Sequence, residues 1–213
     1  MLPACSKGPS GYPDSAPDSP YDYGFYAPFD VEGLVTVKRS PDDVVYLQYK
    51  DFKLLPTEPT LCGLGRAMAS LTVYPQSQGN YYLCRVEWIE PLDTGLFETG
   101  GAKAQGDGLD ILVAGYTSLE DAYLVLQYKT WWGETPLHHD FYLTTGSDPE
   151  NPYVLELRQD SHGDPHDYQD EGLICFDLNS LPDTAGEAKT VILNWIKLDG
   201  TAGTLSFEFK TRE

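Results

Sequence analysis

Asn80-Tyr81-Tyr82-Leu83-Cys84-Arg85-Val86-Glu87-Trp88-Ile89-Glu90 is the stretch from which the fold class is read. Its residues alternate with a period of two. Tyr82, Cys84, Val86 and Trp88 share one face, while Tyr81, Leu83, Arg85 and Glu87 share a more polar one. That is the pattern of a strand with one side on a core. Upstream, residues 31–38, 44–50 and 66–74 are similarly rich in Val, Tyr, Leu and Thr. They are separated by Ser40-Pro41-Asp42-Asp43, a Pro/Gly stretch at 56–65, and Gln78-Gly79-Asn80, the punctuation of turns.

Downstream, Thr99-Gly100-Gly101-Ala102-Lys103-Ala104-Gln105-Gly106-Asp107-Gly108 breaks the composition and reads as an interdomain linker. Strand-like segments follow at 109–116, 122–130, 137–145, 153–159, 172–178, 190–198 and 203–210, with turn-like gaps between them. Short strands at that spacing suit a β-sandwich. Only 118–121 hints at a helical turn, with Ser118 as its cap. The expected organisation is a tether at 1–28, a small β-barrel at 29–98, a linker at 99–108 and a sandwich at 109–213. The fold class is all-β.

Hydrophobic residues make up 41% of the 213 and charged residues 22%, which excludes general disorder. Fourteen basic residues against 33 acidic ones give a formal charge of −19, so no basic stripe exists to neutralise phosphates. Nucleic acid is therefore excluded as a partner, and an anionic lipid surface would repel the chain. Membrane contact has to come from something other than charge, and no apolar run is long enough to span a bilayer.

The amino terminus supplies such a device. Met1-Leu2-Pro3-Ala4-Cys5 carries Leu three residues before Cys5 and a small residue directly before it, as in a bacterial lipobox. The charged and apolar regions of a signal peptide are not present upstream, as in a fragment or a late start. Residues 8–28 are mainly Gly, Pro, Ser, Asp, Tyr and Ala, a composition that stays extended and buries little. A lipidated Cys5 followed by a spacer is the layout of a tethered ectodomain. With Cys5 lipidated, Cys62, Cys84 and Cys175 remain, and three thiols cannot all pair in one chain. Either Cys62 and Cys84 bridge neighbouring strands or all three stay as thiols in the cores.

Several segments carry a family likeness: Gly33-Leu34-Val35-Thr36-Val37, Asn80-Tyr81-Tyr82-Leu83-Cys84-Arg85-Val86 and the strand at 121–128. More distinctive are Gly133-Glu134-Thr135-Pro136-Leu137-His138 and Glu171-Gly172-Leu173-Ile174-Cys175-Phe176-Asp177-Leu178. From about Phe29 to the end the chain resembles the NigD-like family of bacterial envelope lipoproteins. The resemblance implies a lipidated N-terminus, an OB-like barrel and a C-terminal immunoglobulin-like sandwich. It also implies a role in bacteriocin immunity, because the family takes its name from a gene beside a bacteriocin gene. It brings no catalytic residues.

All four histidines lie in His138-His139-Asp140 and Asp160-Ser161-His162-Gly163-Asp164-Pro165-His166-Asp167. His162, Asp164 and His166 are weak candidates for a divalent metal, since imidazole and carboxylate are suitable ligands. Gly, Asp and Pro serve turn geometry in any case, and no Cys pattern or HExxH helix supports zinc. His139 shares a strand face with Leu137, Phe141 and Leu143 and is expected in the core. Trp131 and Trp132 end a strand and are candidates for stacking on a sugar ring; the alternative places one in the core and one over a sheet edge. No nucleophile elbow or phosphate-cradling loop is present, so no enzyme and no cofactor are expected. The expected function is a non-catalytic, membrane-tethered envelope lipoprotein that binds a protein or glycan partner, in a Gram-negative bacterium. A carbohydrate-binding lipoprotein of a glycan-utilisation system is the alternative, and a metal-dependent hydrolase comes third.

Replacing Cys5 with Ala is expected to move the protein from the membrane fraction to the soluble fraction on ultracentrifugation. Continued membrane retention of the variant contradicts the lipid anchor.

Overall fold

The computed structural model describes residues 27–60, 62–98, 106–146 and 150–212. Cys5 and its tether lie outside them. The chain forms two units, Met1–Pro91 and Leu92–Glu213.

The first unit contains β1 (Phe29–Arg39), β2 (Val45–Tyr49), β3 (Phe52–Pro56), β4 (Gly65–Gln78) and β5 (Tyr81–Pro91). They close into a barrel in the order β1-β2-β3-β5-β4, with β4 pairing back onto β1. This is the OB-like topology: antiparallel throughout except for β3, which runs parallel to β5. Closure removes the sheet edges that would otherwise invite pairing with other chains. Alternation fills the interior. Val31, Val35 and Val37 of β1 and Ala67, Ala69, Leu71 and Val73 of β4 point inward, and Leu47, Leu54 and Cys84 come from the other three strands. Cys84 is fully buried and its thiol is pushed up to about 12 by desolvation. Cys62 is half-buried, and the structure leaves both it and Cys84 as free thiols rather than a bridge.

The sequence reading has four strands in this region, and the structure has five. The additional strand, β3, follows β2 after a two-residue turn in which Lys50 has φ of 50°. Five residues ending in proline offer too short an alternation to stand out. A second difference concerns Trp88. Ser70 pairs with Trp88 while Leu71 pairs with Val86, so Glu87 is an extra residue and β5 carries a bulge. The bulge reverses the faces beyond it. Val86 and Ile89 pack on the barrel core, and Trp88 is 40% exposed.

The second unit is a two-layer sandwich built from β6 (Leu96–Glu98), β7 (Asp110–Ile111), β8 (Ser118–Glu120), β9 (Tyr123–Trp132), β10 (Asp140–Thr145), β11 (Val154–Asp160), β12 (Tyr168–Asp177), β13 (Lys189–Ile196) and β14 (Ala202–Phe209). One sheet has the order β14-β13-β11-β10-β6, and the other has β12-β9-β7 with β8 also on β9. The facing sides supply Leu124, Leu126, Tyr128, Ile174 and Phe176 from one layer and Phe141, Leu143, Leu155, Leu157, Val191 and Leu193 from the other. Each fully buried side chain of this size contributes about 1.5–3 kcal/mol.

Residues 92–98 belong to this sandwich, not to the barrel. Thr94 bridges to Cys175 in one sheet, and Leu96–Glu98 then pairs in parallel with β10 in the other. The segment thus crosses between layers, as an edge strand of an immunoglobulin-like sandwich does. Gly95 makes the crossing possible, because a Cβ there would lie 2.2 Å from the Phe176 ring. The residues on both sides of 99–105 therefore lie in the second unit; the Gly-rich stretch read as a linker itself lies outside the described residues. The expected helical turn at 118–121 is instead a strand, β8. Asp121 and Ala122 have φ of 53° and 56°, the conformation of a tight hairpin into β9.

Because the bulge exchanges the faces of β5, Trp88→Ala is expected to change unfolding free energy by no more than about 0.5 kcal/mol, and Ile89→Ala to cost about 1–2 kcal/mol. Denaturant titration of the two variants checks this, and the reverse order contradicts the bulge.

Candidate functional site

All four histidines gather at one end of the sandwich, around the loop from β11 to β12. The alternation of β10 and β11 sends Phe141, Leu143, Leu157 and Gln159 inward. It sends Asp140, Tyr142, Arg158 and Asp160 outward, where Asp140 lies opposite Asp160 and Tyr142 opposite Arg158. β9 ends similarly. Trp132 packs against the core cluster, and Trp131, one residue earlier, falls on the opposite face. Both indoles are half-buried.

The inward group is polar and closed. His139 is 4% exposed, Gln159 1% and Asp164 3%. The His139 Nε2 lies 3.1 Å from Asp164 Oδ2, and Gln159 Nε2 lies 2.7 Å from His139 Nδ1. Asp164 Oδ2 also accepts the Gly133 N–H at 3.0 Å. Burial pushes the Asp164 carboxyl up, but the hydrogen bonds from Gly133 and His139 outweigh it and hold the group below the usual carboxylate range. A charged Asp164 can only accept, so Nε2 of His139 carries the proton and Nδ1 accepts from Gln159. The Trp132 indole covers the imidazole, with centroids 3.9 Å apart and planes 6° apart. Gly133 has no room for a side chain, since a Cβ would stand 2.6 Å from Asp164 Oδ1.

The loop that delivers Asp164 is a tight turn. Ser161 to Asp164 is closed by a 3.0 Å hydrogen bond from the Asp164 N–H to the Ser161 carbonyl, with His162 at φ 54° and Gly163 at φ 76°. Asp107 ties it from outside, its Oδ2 accepting the Ser161 N–H at 3.0 Å and hydroxyl at 2.5 Å. These bonds to Ser161 hold the Asp107 carboxyl below its ordinary value despite desolvation. Asp167 accepts the Glu134 N–H at 2.9 Å, joining the loop to the 133–136 turn.

The outward group is exposed. His162 Nε2 lies 2.8 Å from Asp140 Oδ2, with Asp160 Oδ1 3.7 Å from its Nδ1, and His138 Nε2 approaches the other Asp140 oxygen at 3.3 Å. His166 stacks on Trp131 at 5.7 Å and 13°. The three metal candidates are thus held apart by three different partners: His162 by Asp140, Asp164 by His139 and His166 by Trp131. Among the described residues no group of three His, Cys, Asp or Glu side chains is arranged for a metal ion. Gln159 and Asp107 are the members that sequence reasoning missed. Gln159 sits at an inward position of a regular strand, which marked it as a buried polar group in need of partners.

The family profile described as NigD-like C-terminal beta sandwich domain matches residues 98–209, more than half of the 213-residue chain. Among solved structures, a candidate toxin-related protein of Parabacteroides distasonis is 25% identical with a TM-score of 0.67, and the match covers 85% of this chain and 94% of that one. A NigD-like immunity protein of Bacteroides caccae is 17% identical with a TM-score of 0.55, covering 84% and 96%. A candidate lipoprotein of Bacteroides fragilis is 14% identical with a TM-score of 0.60, covering 87% and 100%. The last two likenesses show the fold alone. No curated protein matches the chain.

The exposed His162–Asp140 pair titrates. Asp140 raises the His162 pKa above 6.5, and His162 in turn lowers that of Asp140 below 3.8. The histidine's share of stability is complete below the unfolded value and fades as pH rises through the raised folded one. The aspartate's share is present above its unfolded value and fades as pH falls through the lowered one. The pair therefore contributes most between about pH 4 and 6.5. In an NMR titration, Asp140→Asn is expected to bring the His162 midpoint down toward the ordinary histidine value; an unchanged midpoint contradicts the pairing.

Proposed function

The chain belongs to the NigD-like family of C-terminal β-sandwich proteins, and from that premise we propose that it is a non-catalytic binding module of the bacterial envelope, held there by a lipid on Cys5 and serving in bacteriocin-type immunity. The observation that carries this reading is the match to the Parabacteroides distasonis structure, which takes in 85% of this chain and therefore parts of both its units. The immunity protein and the candidate lipoprotein with the same fold support the same setting.

The chemistry at the sandwich end favours binding over catalysis. The His139–Asp164 pair has the look of a base and its orienting carboxylate, but Trp132 lies flat on the imidazole and Gln159 occupies its second nitrogen. A general base has to reach the proton that it takes, and both nitrogens of this ring are engaged within the fold. The Ser161 hydroxyl donates to Asp107, away from any histidine. The thiols of Cys62 and Cys84 are both pushed up by burial, the opposite of an activated nucleophile. What remains is a rigid frame presenting exposed side chains. The charge of −19 suits a neutral or cationic partner.

Deleting the protein from a bacteriocin-producing strain that encodes it is expected to leave that strain sensitive to its own product. The full chain should restore survival, and the Cys5→Ala form should not. Unchanged survival of the deletion strain overturns the immunity reading.

A further inference from the structure

The outer side of the same sandwich end carries a cleft that the binding frame leaves unexplained. Its volume is about 500 Å³, and Asp107, Tyr142, Arg158, Asp160, Ser161 and His166 are among its lining. A second recess of about 210 Å³ shares Asp107, Gln159, Ser161 and His166 with it and adds Trp131 and Lys197. Cavities of about 300–1,000 Å³ are the size of small-ligand sites. We propose that this cleft binds one or two residues of a neutral saccharide. This goes beyond the immunity reading and does not depend on the lipid anchor.

The lining selects the ligand class. Arg158 brings a guanidinium, one terminal nitrogen of which is engaged with Glu156 at 2.8 Å. Asp107 and Asp160 bring carboxylates within the same cleft. A cationic ligand meets Arg158, and an anionic one meets the two aspartates. A polyhydroxyl ligand uses both, because each hydroxyl donates to a carboxylate and accepts from a guanidinium. Asp107 spends Oδ2 on Ser161, and among the described residues nothing donates to its Oδ1. Asp160 spends Oδ1 on the His162 N–H and on the His162 ring. Each carboxylate thus has one oxygen fixed by the protein and a second directed by that anchor, the preorganisation that weak polyol binding needs.

Aromatic rings complete the pattern. Tyr142 lies beside Arg158 on the outer sheet face, and Trp131 forms part of the adjoining recess. The exposed imidazole of His166 lies parallel to the Trp131 indole, 13° off, so Trp131 backs the His166 ring and holds its outer face flat toward the cleft, where a pyranose can stack. The platform is rigid, because Asp164 and Asp107 pin the loop at both of its sides.

Isothermal titration of the full chain against neutral glucan, mannan and galactan oligosaccharides tests the proposal, with an oligogalacturonate and an oligolysine as charge controls. A neutral member is expected to bind at millimolar concentration or better, and both charged controls more weakly. Trp131→Ala and Tyr142→Ala are each expected to weaken binding about tenfold, the loss of one stacking contact. Asp107→Asn tests the polar arm, and a thermal melt of each variant separates lost binding from lost fold. Absence of binding by every neutral member overturns the proposal. So does tighter binding of either charged control, or an affinity untouched by Trp131→Ala and Tyr142→Ala in folded protein.

Discussion

A buried carboxylate organises the end of the sandwich at which the histidines gather. Asp164 is taken from a tight turn and set under the sandwich, where it accepts from the Gly133 N–H and faces the His139 Nε2. An isolated charge in that position would be costly, so its partners have to be present together. His139 is in turn fixed by Gln159 on one side and Trp132 on its face. The ends of β9, β10 and β11 and the loops that follow β9 and β11 are thereby held by one connected set of contacts. The exposed groups around it, from Asp107 to His166, inherit their positions from that set.

The barrel solves a simpler problem with similar economy. Its interior is apolar and alternates regularly, with Val, Leu, Ala and Cys84 supplying small and medium volumes around a closed sheet. The pairing of β4 with β5 departs from regularity twice, between Val73 and Ser77 and at the bulge at Glu87, which exchanges the inner and outer faces of the end of β5. Bulges of this kind increase the local twist that a small barrel needs in order to close. The sandwich uses a comparable device in Gly95, where the absence of a side chain lets one edge segment serve both sheets.

Much of the architecture was legible because alternation is a direct consequence of strand geometry. The stretches around Val35, Leu71, Leu126, Leu143 and Leu193 showed it clearly, and each became a central strand. What stayed hidden depends on partners far away in the chain. β3 and β8 are too short to display a period, and the hairpin at Asp121-Ala122 lacks the Asn-Gly or Asp-Gly that announces such turns. Leu96–Glu98 is defined only by its pairing with β10, so the boundary between the units moved to Pro91. At the site, the gathering of histidines into one place could be anticipated from two short motifs. The burial of His139 could be anticipated too, from the strand face it shares with Phe141 and Leu143; its pairing with Asp164 could not, because it follows from the turn at 161–164.

The proposed binding role, as against catalysis, rests on the tautomer of one ring. Long-range proton–nitrogen correlation spectra of His139 measure it directly. The account predicts a neutral ring protonated at Nε2, with a slowly exchanging Nε2 proton shielded by Trp132 and Asp164. A ring protonated at Nδ1, or one whose nitrogen signals average through rapid exchange with solvent, would contradict it.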